Sequence, residues 1–146
     1  MFTEQLTQGL SIAATPIQPQ TLNNGSASTG NGGVDMQKFR RALFIVQTGS
    51  VTGGGSLSAK LQESTDGSTS WTDIAGAALN AITASNKAAT LELRADQMTK
   101  RYVRATLTET GVQNVVCSCV ALGGSAVEKP GNAQDVAAVV AQRLAL

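Results

Sequence analysis

Asp66 and Asp73 flank Trp71, the chain's only tryptophan. Paired acids beside an aromatic ring are the equipment of glycoside hydrolysis, in which one carboxyl protonates the leaving oxygen and the other attacks or activates water. Both acids sit in turn-forming sequence, however. Ser64-Thr65-Asp66-Gly67-Ser68 reads as a polar turn in which Asp66 bonds its own backbone two residues on and Gly67 accepts positive φ. Asp66 and Gly67 are therefore expected to shape a turn, and Asp73 carries no assignment. Thiol chemistry is equally thin. Cys117 and Cys119 are the only cysteines, and two thiolates without further Cys or His make a poor zinc site. A disulfide between such near neighbours is strained, so both read as small buried core residues. Histidine is absent, which removes the commonest general base and metal ligand together. Gly53, Gly54 and Gly55 lack the lysine and hydroxyl spacing of a phosphate loop, and Ser56 and Leu57 after them open a strand rather than a helix. No catalytic residue, cofactor or metal is expected: the chain reads as a binding or structural protein and not as an enzyme.

The elements that position these residues are strands. Leu57, Ala59 and Leu61 alternate with Ser58, Lys60 and Gln62, the period of two of a strand with one buried face. Trp71 supplies apolar bulk on the far side of the turn and is expected in the core between two sheets. Met36 to Thr48 runs apolar from Ala42 to Val46, which suggests a central strand covered on both faces. Ala75 to Ala89 reads as a weak strand and a loop, and Thr90 to Ala95 alternates again. Asp96 is placed to cap a single helical turn over Asp96 to Thr99. Arg101 to Glu109 carries Val103, Ala105 and Leu107 inward and Tyr102, Arg104 and Thr106 outward, and Val115 to Leu122 closes the set. Six to seven short strands with polar turns predict an all-β fold, an antiparallel β-sandwich with jelly-roll or immunoglobulin-like connections.

Three segments follow from this: an extended N-terminal arm over 1–33, the sandwich over 34–124, and a tail over 125–146. The arm contains Pro16, Pro19 and the polar stretch Thr21 to Gly33, yet Leu10, Ile12 and Ile17 are too hydrophobic for a pure spacer. Extended, it reaches on the order of 100 Å at ~3.3 Å per residue, far enough to lie across a neighbouring subunit. In the tail, Asn132 is a plausible helix cap and Val136, Val139, Val140 and Leu144 recur at helical spacing, which predicts a short amphipathic helix that must pack on something. With 11 basic and 10 acidic residues the chain has no broad electrostatic pull toward nucleic acid or an anionic membrane. The start MFTEQLTQGL lacks the basic opening of a signal peptide and carries Glu4 before any apolar run, so no signal peptide is expected and the chain is made in the host cytoplasm.

The order VDMQKFRRALFIVQTG, LQESTDGSTSWTDIAG, KRYVRATLTETG and VVCSCVALGG resembles small structural proteins of tailed double-stranded DNA bacteriophages, most of all head decoration (cement) proteins. The residues that carry the likeness are Leu61, Gln62, Ser64, Asp66, Gly67 and Trp71, then Arg101, Tyr102, Val103, Arg104 and Leu107. The pattern SxDGxTxW also resembles the aspartate-box turn of sialidase propellers and a turn of discoidin-type sugar-binding sandwiches, where it is mainly structural.

The phage resemblance implies a protein on the head surface of the virion, usually a homotrimer, that binds the major capsid protein only once the shell is assembled and stabilises it across capsomer joints. It implies no nucleic acid, membrane or small-molecule partner. Leu10, Ile12 and Ile17 of the arm, with Lys38, Arg40, Arg41, Tyr102 and Arg104, are then the candidate subunit and capsid contacts. Asp66, Gly67, Trp71, Val103 and Leu107 are the candidate core and turn residues. Two other readings are a different virion part, such as a tail-tube, neck or spike-base protein, and a carbohydrate-binding sandwich using Trp71 and Tyr102.

Overall fold

A computed structural model describes residues 9–13, 17–30 and 33–127. The expected C-terminal helix lies outside the described residues. The rest is an antiparallel β-sandwich of two five-stranded sheets. In chain order the strands are β1 (Leu10–Ile12), β2 (Ile17–Leu22), β3 (Ala27–Thr29), β4 (Val34–Asp35), β5 (Phe39–Val51), β6 (Ser56–Ser64), β7 (Thr72–Ile82), β8 (Ala88–Arg94), β9 (Tyr102–Thr110) and β10 (Val115–Ala126). The first sheet, A, runs β10-β5-β8, with β1 and β2 both on the free edge of β10. The second, B, runs β9-β6-β7, with β3 and β4 both on β9. After β5 the chain changes sheet at every connection except the β6–β7 hairpin.

The core lies between the sheets and follows the alternation read from the sequence. Sheet A contributes Ala42, Phe44, Val46, Leu93, Val115, Cys117, Cys119 and Ala121; sheet B contributes Leu57, Ala59, Leu61, Val103, Ala105 and Leu107. Val103 and Leu107 are fully buried. Both cysteines are buried and free, and burial pushes their thiols up, to about 11 for Cys117 and about 12 for Cys119, so they are inert at neutral pH.

The N-terminal segment departs from the reading of it as an arm outside the sandwich. Its described residues are strands of the sandwich itself: β1 and β2 extend sheet A, β3 extends sheet B, and Ile17 and Leu22 are each 4% exposed in the core. Ile17 therefore faces its own core and is not a capsid contact. Asn23 to Ser26, inside the stretch read as linker, is the turn that carries the chain from one sheet to the other, closed by Ser26 N–H donating to the Asn23 carbonyl. The helical turn also shifts. It is a 3₁₀ turn at Ala95–Gln97, where Arg94 rather than Asp96 precedes the first residue and its N–H donates to Gln97 Oε1.

Candidate interaction surfaces

The two outer faces of the sandwich differ in chemistry. That of sheet B is polar. On β6, Lys60 and Gln62 point outward, next to Arg104 and Thr106 of β9 and Asp73 and Ala78 of β7 in the paired registers. Gln62 is the hub. Its Oε1 accepts from Arg104 Nε at 3.2 Å, Arg104 Nη2 at 3.0 Å and Thr106 Oγ1 at 3.0 Å, and its Nε2 donates to Asp73 Oδ1 at 2.7 Å. Lys60 Nζ closes the row on Asp73 Oδ2 at 2.7 Å, and these bonds from Lys60 and Gln62 hold the Asp73 carboxyl below its usual range. Partial burial lowers the Arg104 guanidinium, which stays cationic.

Trp71 belongs to this face and not to the core. The sequence places it between the sheets. In the structure it is half-buried outside sheet B, with the Arg104 guanidinium 4.3 Å from its ring centroid and its Nε1 donating to the Ser68 carbonyl at 3.3 Å. Gly33 runs so close beneath the ring that a Cβ there would lie 2.7 Å from Trp71 Cη2. The cause is the turn. Asp66 accepts from Ser68 N–H, Thr69 N–H and Thr69 Oγ1, which holds its carboxyl far below the usual range, and Gly67 takes φ 73°. The chain re-enters β7 only at Thr72, one residue after the tryptophan. Asp66 and Gly67 thus shape this turn.

Tyr102 sits beside this cluster, its ring against Gly67 and 4.9 Å from the Arg101 guanidinium. Arg101 is held by Asp35 in a two-pronged pair, Nε to Oδ1 at 2.9 Å and Nη2 to Oδ2 at 2.6 Å, which raises the guanidinium and lowers the carboxyl. The structure thus brings Tyr102 and Arg104 together and separates them from the other sequence candidates. Arg41, Leu10 and Ile12 belong to the outer face of sheet A, Arg41 paired with Glu92 at 2.8 Å, while Lys38 and Arg40 are exposed at the start of β5. Sequence reading missed Gln62 as the hub and Asp73 as its partner. Outward alternation on β6 and β9 was the available signal, but the pairing register that makes them neighbours is a tertiary fact.

Among the described residues, no group of three or more His, Cys, Asp or Glu is placed to hold a metal ion. No known protein-family profile matches the sequence, and no curated protein matches it. Among solved structures, the fold is similar to the crystal structure of PBSX exported protein XepA, with a TM-score of 0.56 and 14% identity over 99% of this chain and 44% of that one. This chain therefore spans less than half the length of XepA. Structures of infectious bursal disease virus, Gt and Gx strains, align with 84% of this chain and 33% of theirs at 9% and 11% identity, with TM-scores of 0.47 and 0.40.

Proposed function

We propose that the chain is a non-enzymatic structural component of a phage virion, a decoration protein that binds the assembled head shell and stabilises it across capsomer joints. The observation that carries the reading is the outer face of sheet B. Trp71, Arg101 and Arg104 are held on adjacent strands and turns by hydrogen bonds made within the chain, and the Tyr102 ring packs beside them against Gly67 and the Arg101 guanidinium. Trp, Tyr and Arg dominate the energetics of protein interfaces, and side chains already fixed lose little entropy on docking. The head-protein motifs of the sequence and a fold shared with a phage exported protein support the same reading.

A decoration protein adds contacts that are lost when the shell opens, so binding favours the closed head by mass action. A symmetric trimer multiplies each weak contact. The test is co-sedimentation with assembled heads of the phage that encodes the chain, against unassembled capsid subunits, together with light scattering of the free protein. Saturable binding to heads alone and a trimeric mass are the expected results, and Arg104→Ala weakens head binding. Binding to tail tubes instead, with hexamers or open polymers in solution, overturns the head assignment in favour of a tail or neck part.

The half-exposure of Trp71 favours a second reading as a carbohydrate-binding module. Against it, Arg104 occupies a ring face that a sugar would need for stacking. Quenching of Trp71 fluorescence by glycans at micromolar concentration would move the assignment to that class.

A further inference from the structure

The outer face of sheet A carries an apolar patch across β1, β10 and β5, bordered on β8 by Thr90, Glu92 and Arg94, where that of sheet B is polar. Alternation along β10 and β5 buries one set of residues in the core and turns the other set out, and the middle of the outward set, Leu43, Ile45, Val120 and Leu122, is aliphatic between Arg41 at one end and Gln47 and Ser118 at the other. Ile12, Leu122 and Leu43 lie side by side across β1, β10 and β5, and Val120 and Ile45 form the next row. Leu10, 39% exposed, extends the patch toward the end of the sheet. A solvated outer sheet face carries polar residues at these positions, as sheet B does with Lys60, Gln62, Arg104 and Thr106.

The chain itself supplies an occupant. β10 ends at Ala126 on sheet A, and Val127 N–H donates to the Lys38 carbonyl at 2.9 Å, so the described chain ends against sheet A. Nineteen residues follow, and they open with Glu128, Lys129, Pro130 and Gly131, a turn-forming link able to reverse the chain. The remaining stretch places Val136, Val139, Val140 and Leu144 on one side of a helical repeat. Fourteen helical residues span about 21 Å at 1.5 Å each, and the rows from Val120 to Gly124 span roughly 13 Å at 3.3 Å per residue. One such helix is long enough to cover them.

We infer that residues 132–146 fold back over the outer face of sheet A of the same chain and cover Ile12, Leu43, Ile45, Val120 and Leu122 with their valine and leucine stripe. The patch is then a second core, and the molecule keeps the polar face of sheet B as its free surface.

The experiment places one reporter thiol, Ile45→Cys, in the patch of the full chain and follows its reaction with a soluble maleimide at neutral pH, with Thr108→Cys on sheet B as the control. The native thiols are buried and stay silent. Two variants disturb the proposed cover: truncation after Val127, and V139D with V140D in the intact chain, each checked for retained β-structure by circular dichroism. The expected result is that either variant speeds the reaction of the patch thiol on the order of tenfold or more, the factor that about 1.4 kcal/mol of docking gives, while the control rate is unchanged and the full chain protects the patch thiol at every protein concentration. Equal rates in the full chain and in V139D/V140D overturn the inference. Protection that fades on dilution also overturns it, because a second copy of the chain is then the cover.

Discussion

Glu63 sets the pattern for the ionisable residues of this sandwich. It points into the buried face of β6, where desolvation raises its carboxyl, yet Thr99 N–H, Thr99 Oγ1 and Lys100 N–H all donate to it and the net effect is a lowered value. Asp35 and Asp73 are lowered by their own partners, Arg101 and Lys60 first in each case. All three are therefore charged more readily in the folded than in the unfolded chain. The unfolded state binds more protons as pH falls through the range below the ordinary values of 3.8 for Asp and 4.5 for Glu. Stability from these groups is fully present above about pH 5 and is lost as pH falls through the folded values. Urea midpoints should hold from pH 7 to 5 and drop below 4.5, and Glu63→Gln should lower the neutral-pH midpoint while flattening that drop. Glu109 makes a different prediction. It is fully buried, its Oε2 accepts from Gly25 N–H at 2.7 Å, and its Oε1 has no hydrogen-bond partner. Glu109→Ala strands the Gly25 donor and should destabilise by roughly 1–3 kcal/mol in urea titrations, while Glu109→Gln keeps an acceptor and recovers most of the loss.

At the level of elements, the tightest fit is between β10 and the start of β5. The Phe39 ring lies where a Cβ on Gly123 would be, 2.4 Å from such an atom. Gly123→Ala must push a buried aromatic out of place and should cost about 1–3 kcal/mol, read as a lower melting temperature. Most elements were legible in the sequence. The alternation of β6, β9 and β10 gave their inward residues correctly, because a period of two and a buried face leave little choice. The long apolar run of β5 marked a central strand, although its outward residues are less covered among the described residues than a run apolar on both faces suggests. What stayed hidden depends on partners distant in sequence. Short β1, β2 and β3 are strands because β9 and β10 offer them free edges; their own sequences, LSI, IQPQTL and AST, are too short to show a period and are set among Gly, Asn and Pro, so the stretch reads as a linker. Trp71 was misplaced for a similar reason. Its bulk suggested the core, but the Asp66 turn delays the start of β7 until after it.

Over the whole molecule, the N-terminal strands close one side of both sheets, and β7 and β8 end the sheets on the other. Removing residues 1–33 uncovers the edges of β10 and β9 together and takes Ile17 and Leu22 out of the core. At ~1.5–3 kcal/mol for each buried aliphatic side chain, the loss is about 3–6 kcal/mol before any strand pairing is counted. The truncated chain is expected to unfold at much lower urea and to aggregate through its bared edges, read by light scattering and thioflavin fluorescence. Unchanged stability would mean that these strands add nothing to the sandwich. Their pairing also has a consequence for how the molecule is made. β1 and β2 find their ladder partner in β10, and β3 and β4 in β9, so the strands that leave the ribosome first must wait for those that leave last. At roughly 5–20 residues per second, that wait lasts seconds. Throughout it the nascent chain holds Ile17 and Leu22 without their partners, and neighbouring ribosomes on one message would carry chains whose early strands match each other's late ones.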